Sequence, residues 1–393
     1  MILRSSKRRN KALVYIFFLL PVLIVSCVNT GRVAHSSPQI EDSPLKTGGN
    51  SLILTSWNAY KKGFIHSDGR VIDHSIEKIT TSEGQSYALL RAVWIGDRET
   101  FDNVLSWTLN NLKQKDTHLF SWKWGKKYGL SWGVLDSASA TDADQDIALA
   151  LILAHKKWGA ARYMELARYI INDIWSFETR EVKGQRYMVA GDWAGKKKEV
   201  TINPSYLAPY AYRMFGEIDT SHKWTNIVNT SYEVIYRCSE PSRVFLPPDW
   251  CRLTKDGEIV LPDIFDKGGD TSYGAFRVYW RLALDYTWFG EERAIRYIRK
   301  GGFLIDYWHI KGSITASYTR DGIARSDSEA LSIYGIILPF FAINGIKYAD
   351  DLYDKKIAPS YKEGFWGNQE AYYAQNWVWF GIALYHEIKE GKK

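Results

Sequence analysis

From Gln85 to Glu387 apolar residues return at helical spacing in one segment after another, and stretches that alternate like strands are few. The periodicity predicts helices over Gln85 to Ile95, Arg98 to Lys113, Asp144 to Lys157, Ala160 to Phe177, Ser205 to Phe215, His222 to Tyr236, Tyr273 to Phe289, Glu291 to Tyr307, Ser328 to Ile343 and Glu370 to Glu387. Helices in sequential pairs with short connections bury their apolar stripes against one another. That predicts an all-α architecture, a closed or curved array of helical hairpins.

One helix start carries an unusual load. Asp142, Asp144 and Asp146 stand within five residues, ahead of a stripe formed by Ile147, Ala148, Leu151, Ile152 and His155. Capping explains part of this: Asp142 can accept a backbone N–H, Gln145 completes a capping-box spacing, and an acid complements the positive end of the helix dipole. One or two acids suffice for that, and three repel one another. The cluster therefore reads either as a cap or as a polar site held at the helix start.

The pattern Ala140-Thr141-Asp142-Ala143-Asp144, then Ile147-Ala148, Ala150-Leu151-Ile152, Ala154 and Trp158, resembles the signature of glycoside hydrolase family 8. Further matches follow in the family's order. They are Thr81-Ser82-Glu83-Gly84-Gln85 with Asp97-Arg98-Glu99-Thr100-Phe101-Asp102; Asn203-Pro204-Ser205-Tyr206; Ser272-Tyr273 with Arg277 and Trp280-Arg281; and Tyr372-Tyr373 with Gln375-Asn376. The resemblance covers roughly residues 52 to 388. The resemblance implies an (α/α)6 barrel and cleavage of β-1,4-linked glycans, cellulose-like glucan first, with xylan or chitosan as siblings. A polysaccharide or oligosaccharide is then the expected partner, and the protein is expected to act as a monomer without metal or other cofactor.

Glycoside hydrolysis requires a protonated carboxyl at the leaving oxygen and a second carboxylate as nucleophile or base. The resemblance places Glu83 in the acid role. By residue type alone, Glu83 after Thr80-Thr81-Ser82 reads first as a capping acid at a helix start. Asp142 matches the aspartate that grips hydroxyls beside the scissile bond, and Asp144 is expected to brace the helix start or orient a neighbour. Trp122, Trp193, Tyr273 and Tyr372 match sugar-contacting positions. Arg277 and Arg281, one turn apart, would order carboxylates in the cleft or form structural ion pairs. Aromatic residues make up 15% of the chain, and Trp122, Trp124, Trp132, Trp193, Trp250 and Trp366 fall in expected loops, where indoles suit the apolar faces of β-linked sugars.

The chain departs from the family at Gly274. Many members carry there, after the Tyr matching Tyr273, the aspartate that acts as base in an inverting reaction. Asp270, four residues upstream, is the nearest substitute in sequence, with capping of the following helix as its other reading. Asp263, Asp266 and Glu258 in the preceding loop are further candidates. A glycan-binding lipoprotein without turnover is the competing reading of the same vacancy.

The ends and composition bound the rest. Arg4, Lys7, Arg8, Arg9 and Lys11 precede an apolar run from Leu13 to Val25, too short for a comfortable membrane span. Ile24-Val25-Ser26-Cys27 resembles a lipoprotein cleavage box, so residues 1–26 are expected to be a signal peptide and Cys27 to be lipidated, tethering an exported chain to the cell envelope. Residues 27–50, rich in Ser, Pro, Gly and Thr, read as a flexible tether, and 51–393 as one catalytic domain. Removing the five basic residues takes the formal charge from +7 to +2, and no basic face points to nucleic acid. The run Lys196-Lys197-Lys198 reads as a solvated loop. In an oxidising compartment Cys238 and Cys251 are expected to bridge, two buried thiols being the alternative.

Overall fold

The structure, a computed structural model, describes residues 50–391 except 128, 130, 196–198 and 263–266. The expected signal peptide, nearly all of the expected tether, Cys27, Lys196 to Lys198, Asp263 and Asp266 lie outside the described residues. Six helices form a closed ring in which each packs against the next and the last returns to the first: Ser82–Ile95, Thr141–Trp158, Pro209–Ile218, Arg277–Phe289, Leu331–Asn344 and Tyr372–Gly391. These are buried on almost every side over most of their length. Helices with one apolar face pack outside them, among them Asn50–Phe64, Arg98–Asn111, Ala161–Phe177 and Trp224–Ser239. The result is the (α/α)6 barrel.

Ion pairs fix the direction of the ring. Asp142 meets Arg277, and one turn further along both helices Asp146 meets Arg281. Partners that advance together on both helices require the two to run parallel. The N-termini of ring helices, with the positive ends of their dipoles, therefore gather at one mouth of the barrel. Connections at the opposite end are short. Gly96 and Gly159 close two ring helices there in the left-handed region, with φ 88° and 71°, which a residue lacking Cβ adopts without strain.

Connections entering the mouth are long and carry the short sheets. The hairpin Ser121–Lys126 and Trp132–Ser139 pairs with Thr80–Thr81, which runs directly into the helix bearing Glu83. These strands escape a helical reading because they are brief and irregular. Other departures are local. Asn50–Phe64 is helical where a tether was expected to end, and the segment expected as one helix over Glu291 to Tyr307 is two, Glu292–Lys300 and Phe303–Lys311, broken at Gly301-Gly302. The helix expected from Tyr273 begins at Arg277. Trp366, expected in a binding loop, is wholly buried in the core.

Cys238 and Cys251 are free, buried thiols, and the expected bridge is absent. Cys238 lies near the end of Trp224–Ser239 and Cys251 on a strand paired with Val200–Ile202. The two thiols face each other in an apolar setting, and burial pushes the Cys238 thiol well up, so both pack as small apolar side chains.

Packing inside the ring is closest where Leu331–Asn344 crosses Tyr372–Gly391. A Cβ on Gly381 would fall inside the Gly335 carbonyl, and one on Gly335 would lie 2.5 Å from the Trp377 oxygen. Gly381→Ala is expected to cost about 3 kcal/mol, at the upper end for overpacking, because backbone rather than a mobile side chain must give. Urea unfolding checks this; an unchanged midpoint would refute the close approach.

Candidate active site

Four side chains reach the mouth from ring-helix N-termini. Thr81 accepts the Gly84 N–H at 3.0 Å, as an N-cap, so Glu83 sits in the first turn of its helix and projects beyond the apolar core. Asp142, Arg277 and Tyr372 occupy the first or second positions of their own helices. Arg277 is the hub. Its Nη1 donates to Glu83 Oε2 at 3.0 Å, Asp142 Oδ2 at 2.8 Å and the Tyr87 hydroxyl at 3.1 Å, while Nη2 donates to Ser205 Oγ at 3.1 Å. Tyr372 donates to Glu83 Oε1 at 3.0 Å. Tyr372, expected to contact sugar, is thus directed at the acid.

Glu83 and Asp142 differ in access. The Glu83 side chain keeps 23% of its exposure, whereas Asp142 keeps 3%. Burial pushes the Glu83 carboxyl up; Arg277 pulls it down, Asp142 pushes it up again, and the Tyr372 and Tyr87 hydroxyls pull it down, leaving it above the ordinary carboxylate range. A carboxyl whose hold on its proton is strengthened and that faces an opening suits general-acid work.

The three aspartates have three separate destinations, and neither capping nor one shared site describes them. Asp142 also accepts its neighbour's N–H, from Ala143 at 3.0 Å, but Ala140 at the cap position offers no side chain to the helix. Gln145 forms no capping box; buried, it donates to the Tyr206 carbonyl and accepts from Tyr212 at 2.8 Å. Asp146 binds Arg281 through both oxygens at 2.7 and 2.8 Å, so Arg281 is a structural ion pair beneath the site.

Asp144 braces the helix start by accepting the Phe120 N–H at 2.9 Å. Its other oxygen faces Glu178, and neither Asp144 Oδ2 nor Glu178 Oε2 has a hydrogen-bond donor. One proton held between them satisfies both. Burial and the facing Glu178 push the Asp144 carboxyl well up, and burial pushes Glu178 up to about 7, against unfolded carboxyls at about 4. The folded pair therefore binds protons that the unfolded chain releases, and stability falls as pH rises from about 4 through about 7 and beyond. Glu178→Gln is expected to flatten that fall, read as urea midpoints at pH 5 and pH 8. Equal pH sensitivity in both proteins would place the linkage elsewhere.

A cavity of about 500 Å³ is lined by Trp122, Trp193, Tyr206, Asp136 and Ala140; the four mouth side chains do not line it, and Tyr206, whose ring the Arg277 guanidinium overlies at 5.3 Å, links it to them. Trp193 is 41% exposed and Tyr273 46%, so both present ring surface to solvent. A second cavity of about 550 Å³, lined by residues including Arg213, His222 and Arg293, lies among a different set of helices and includes none of the mouth residues.

Asp270, expected as a substitute base or as a helix cap, is engaged by another residue. Arg325 holds both its oxygens, at 2.7 and 2.8 Å, and it caps no helix because the following one starts seven residues on. Glu258 sits exposed on the turn between Cys251–Leu253 and Ile259–Val260. Sequence reasoning missed Tyr87, Ser205 in its catalytic setting and Asp249. Asp249 accepts the Ala275 N–H at 2.9 Å, the Ser272 N–H at 3.2 Å and the Ser272 hydroxyl at 2.5 Å, in the turn that leads into Arg277. The Ser272-Tyr273 motif was the available signal, since a turn of that kind needs an acceptor.

A carboxyl whose pKa is raised by burial, near a second carboxylate, a buried cation and an aromatic cavity at the open end of an (α/α) barrel, is the equipment of proteins that cleave acetal links between sugars. Residues 43–376 match the family described as Glycosyl hydrolases family 8, and the chain belongs to that family. It is 33% identical over 319 residues to Endoglucanase C of Ruminiclostridium cellulolyticum, covering 75% of this chain and 65% of that protein. It is also 37% identical over 229 residues to an endoglucanase of Escherichia coli K12, covering 57% of this chain and 60% of the other. The chain thus spans about two thirds or less of the length of these relatives. The crystal structure of an endo-1,4-D-glucanase from Vibrio fischeri ES114 superposes with a TM-score of 0.73 at 26% identity, over 84% of this chain and 94% of that one.

Proposed function

We propose that the protein hydrolyses β-1,4-linked glucan with inversion, Glu83 giving its proton to the leaving oxygen. The observation that carries this reading is Glu83 itself, partly open, raised in pKa and fixed by Arg277 and Tyr372, with Tyr206 linking Arg277 to the Trp122–Trp193 cavity. Glucan is favoured because the relatives above are named endoglucanases. Charge speaks against chitosan, since a cationic polymer gains little from a chain of about +2 after loss of its leader. Incubation with cello-, xylo- and chito-oligosaccharides, followed by product mass and by NMR of the newly formed anomer, tests substrate and stereochemistry together. Cleavage of chito-oligosaccharides alone would overturn the glucan reading, and a first-formed β-anomer would overturn inversion.

The proposal extends to location: export, with a lipid on Cys27 holding the catalytic domain at the envelope. The basic segment, apolar run and Cys27 box support it. No helix among the described residues is long and apolar enough to cross a membrane. Labelling with a palmitate analogue should mark the wild type and leave Cys27→Ala unmarked; equal labelling would remove Cys27 as the anchor.

A further inference from the structure

Inversion by a single displacement needs a second carboxylate about 6.5–9.5 Å from the acid, with a water between it and the anomeric carbon. The obvious neighbour fails that requirement. Glu83 and Asp142 bind the same Arg277 nitrogen at 3.0 and 2.8 Å, which keeps their bonded oxygens less than about 6 Å apart, and Asp142 is almost closed to solvent. Asp144 and Asp146 are buried and engaged, and Asp270 is held by Arg325.

Asp249 remains, on the other side of the same guanidinium. Arg277 Nη2 donates to Ser205 Oγ, and that hydroxyl lies 3.9 Å from where a Cβ on Gly274 would stand. The same Cβ point is 3.5 Å from Asp249 Oδ1. Gly274 does not have the positive φ that would call for glycine, and a Cβ there would meet only ordinary contacts. Its bareness leaves space in front of the Asp249 carboxylate. The amides of Ser272 and Ala275 and the Ser272 hydroxyl hold that carboxylate in place, and it is only partly buried.

Resting on the hydrolase reading above, we propose that Asp249 is the general base, acting through the gap left by Gly274. The water oxygen bonds to the anomeric carbon as its proton passes to Asp249. The glycosidic C–O bond breaks as Glu83 protonates the departing oxygen, and exchange with solvent resets both carboxyls. Burial, working against the Ser272 and Ala275 hydrogen bonds and Arg277, lifts the Asp249 carboxyl above its usual value, which strengthens it as a proton acceptor.

Asp249→Asn separates chemistry from structure, because an amide oxygen can accept the same two backbone N–H groups. In the full chain this change should lower kcat on cello-oligosaccharides by about a hundred-fold or more, with KM and melting temperature little moved. Azide added to Asp249→Ala should restore turnover and yield the α-glycosyl azide. In the Asp249→Asn background, Gly274→Asp should recover part of the lost rate. Asparagine at 249 with rate within about ten-fold of wild type would overturn the proposal. So would loss of rate with neither azide product nor recovery by Gly274→Asp, since Asp249 would then be only a turn-holding residue. A wild type without activity that gains it through Gly274→Asp overturns Asp249 as base and leaves the hydrolase reading standing. If both proteins are inert on every glycan, the hydrolase reading falls, and this proposal with it.

Discussion

Glu83→Gln should lower kcat on unactivated cello-oligosaccharides by roughly a hundred- to ten-thousand-fold while leaving their affinity nearly unchanged. The amide keeps the shape of the carboxyl, its oxygen can accept from Arg277 and its NH2 can donate to the Tyr372 hydroxyl in reverse of the native bond, but it cannot act as the acid. Hydrolysis assays and calorimetric titration on the same preparation read both halves of the expectation. The pH profile gives a third. A group whose pKa is raised keeps its proton above the ordinary carboxylate range, so the alkaline limb of wild-type activity should lie above that range and disappear in Glu83→Gln on an activated aryl glycoside. An intact alkaline limb in the variant would assign the acid to another residue.

Arg277→Leu should destabilise the fold by about 3–5 kcal/mol, the loss expected when one partner of a buried ion pair is removed. Arg277 is 4% exposed, and it is the cation that Asp142 and Glu83 share. Without it Asp142 is left charged and buried or must take up a proton, and Ser205 loses its donor. Arg277→Lys keeps the charge but cannot span both carboxylates and Ser205, so it should retain most of the stability and lose most of the turnover. Guanidinium unfolding of the three proteins decides this; a cost below about 1 kcal/mol for Arg277→Leu would mean that the carboxylates do not depend on it.

The sequence read well wherever local pattern and chain order carry the information. Helical periodicity found most of the ring and outer helices, and Glu83, Asp142 and Arg277 meet because each opens a helix whose N-terminus faces the same mouth. The failures came where a residue's role depends on a distant partner. Asp270 was assigned by counting back along a helix expected from Tyr273, whereas the helix begins at Arg277 and Thr271 instead pairs with Tyr318. Its carboxylate was free to meet Arg325, 55 residues away. Asp249 escapes for the same reason: the Ser272-Tyr273 motif signals a turn that needs an acceptor, but nothing near Pro247-Pro248-Asp249 marks this carboxylate as the one that completes it. Trp366 looked like a loop platform because loop residues in sequence are not always surface residues in space; its strand is tied to Gln375 and folded under the barrel wall. Tyr372 was matched to sugar contact, and only the ring's closure brings its hydroxyl to Glu83.

That closure has a temporal consequence. Glu83 and Tyr372 are 289 residues apart, and Arg277 comes 194 residues after the acid it holds. As the chain is made, the acid emerges 194 residues ahead of Arg277 and 289 ahead of Tyr372, so a product halted between them carries no assembled centre. Contacts of such long range also make folding slow relative to a bundle built from neighbours, because the chain must surrender loop entropy before the last helix closes the ring. A chain halted before Tyr372–Gly391 would possess the acid and Asp142 yet lack the strut that aims Glu83. Catalytic competence is therefore a late event in the life of each molecule, gated by completion of the fold.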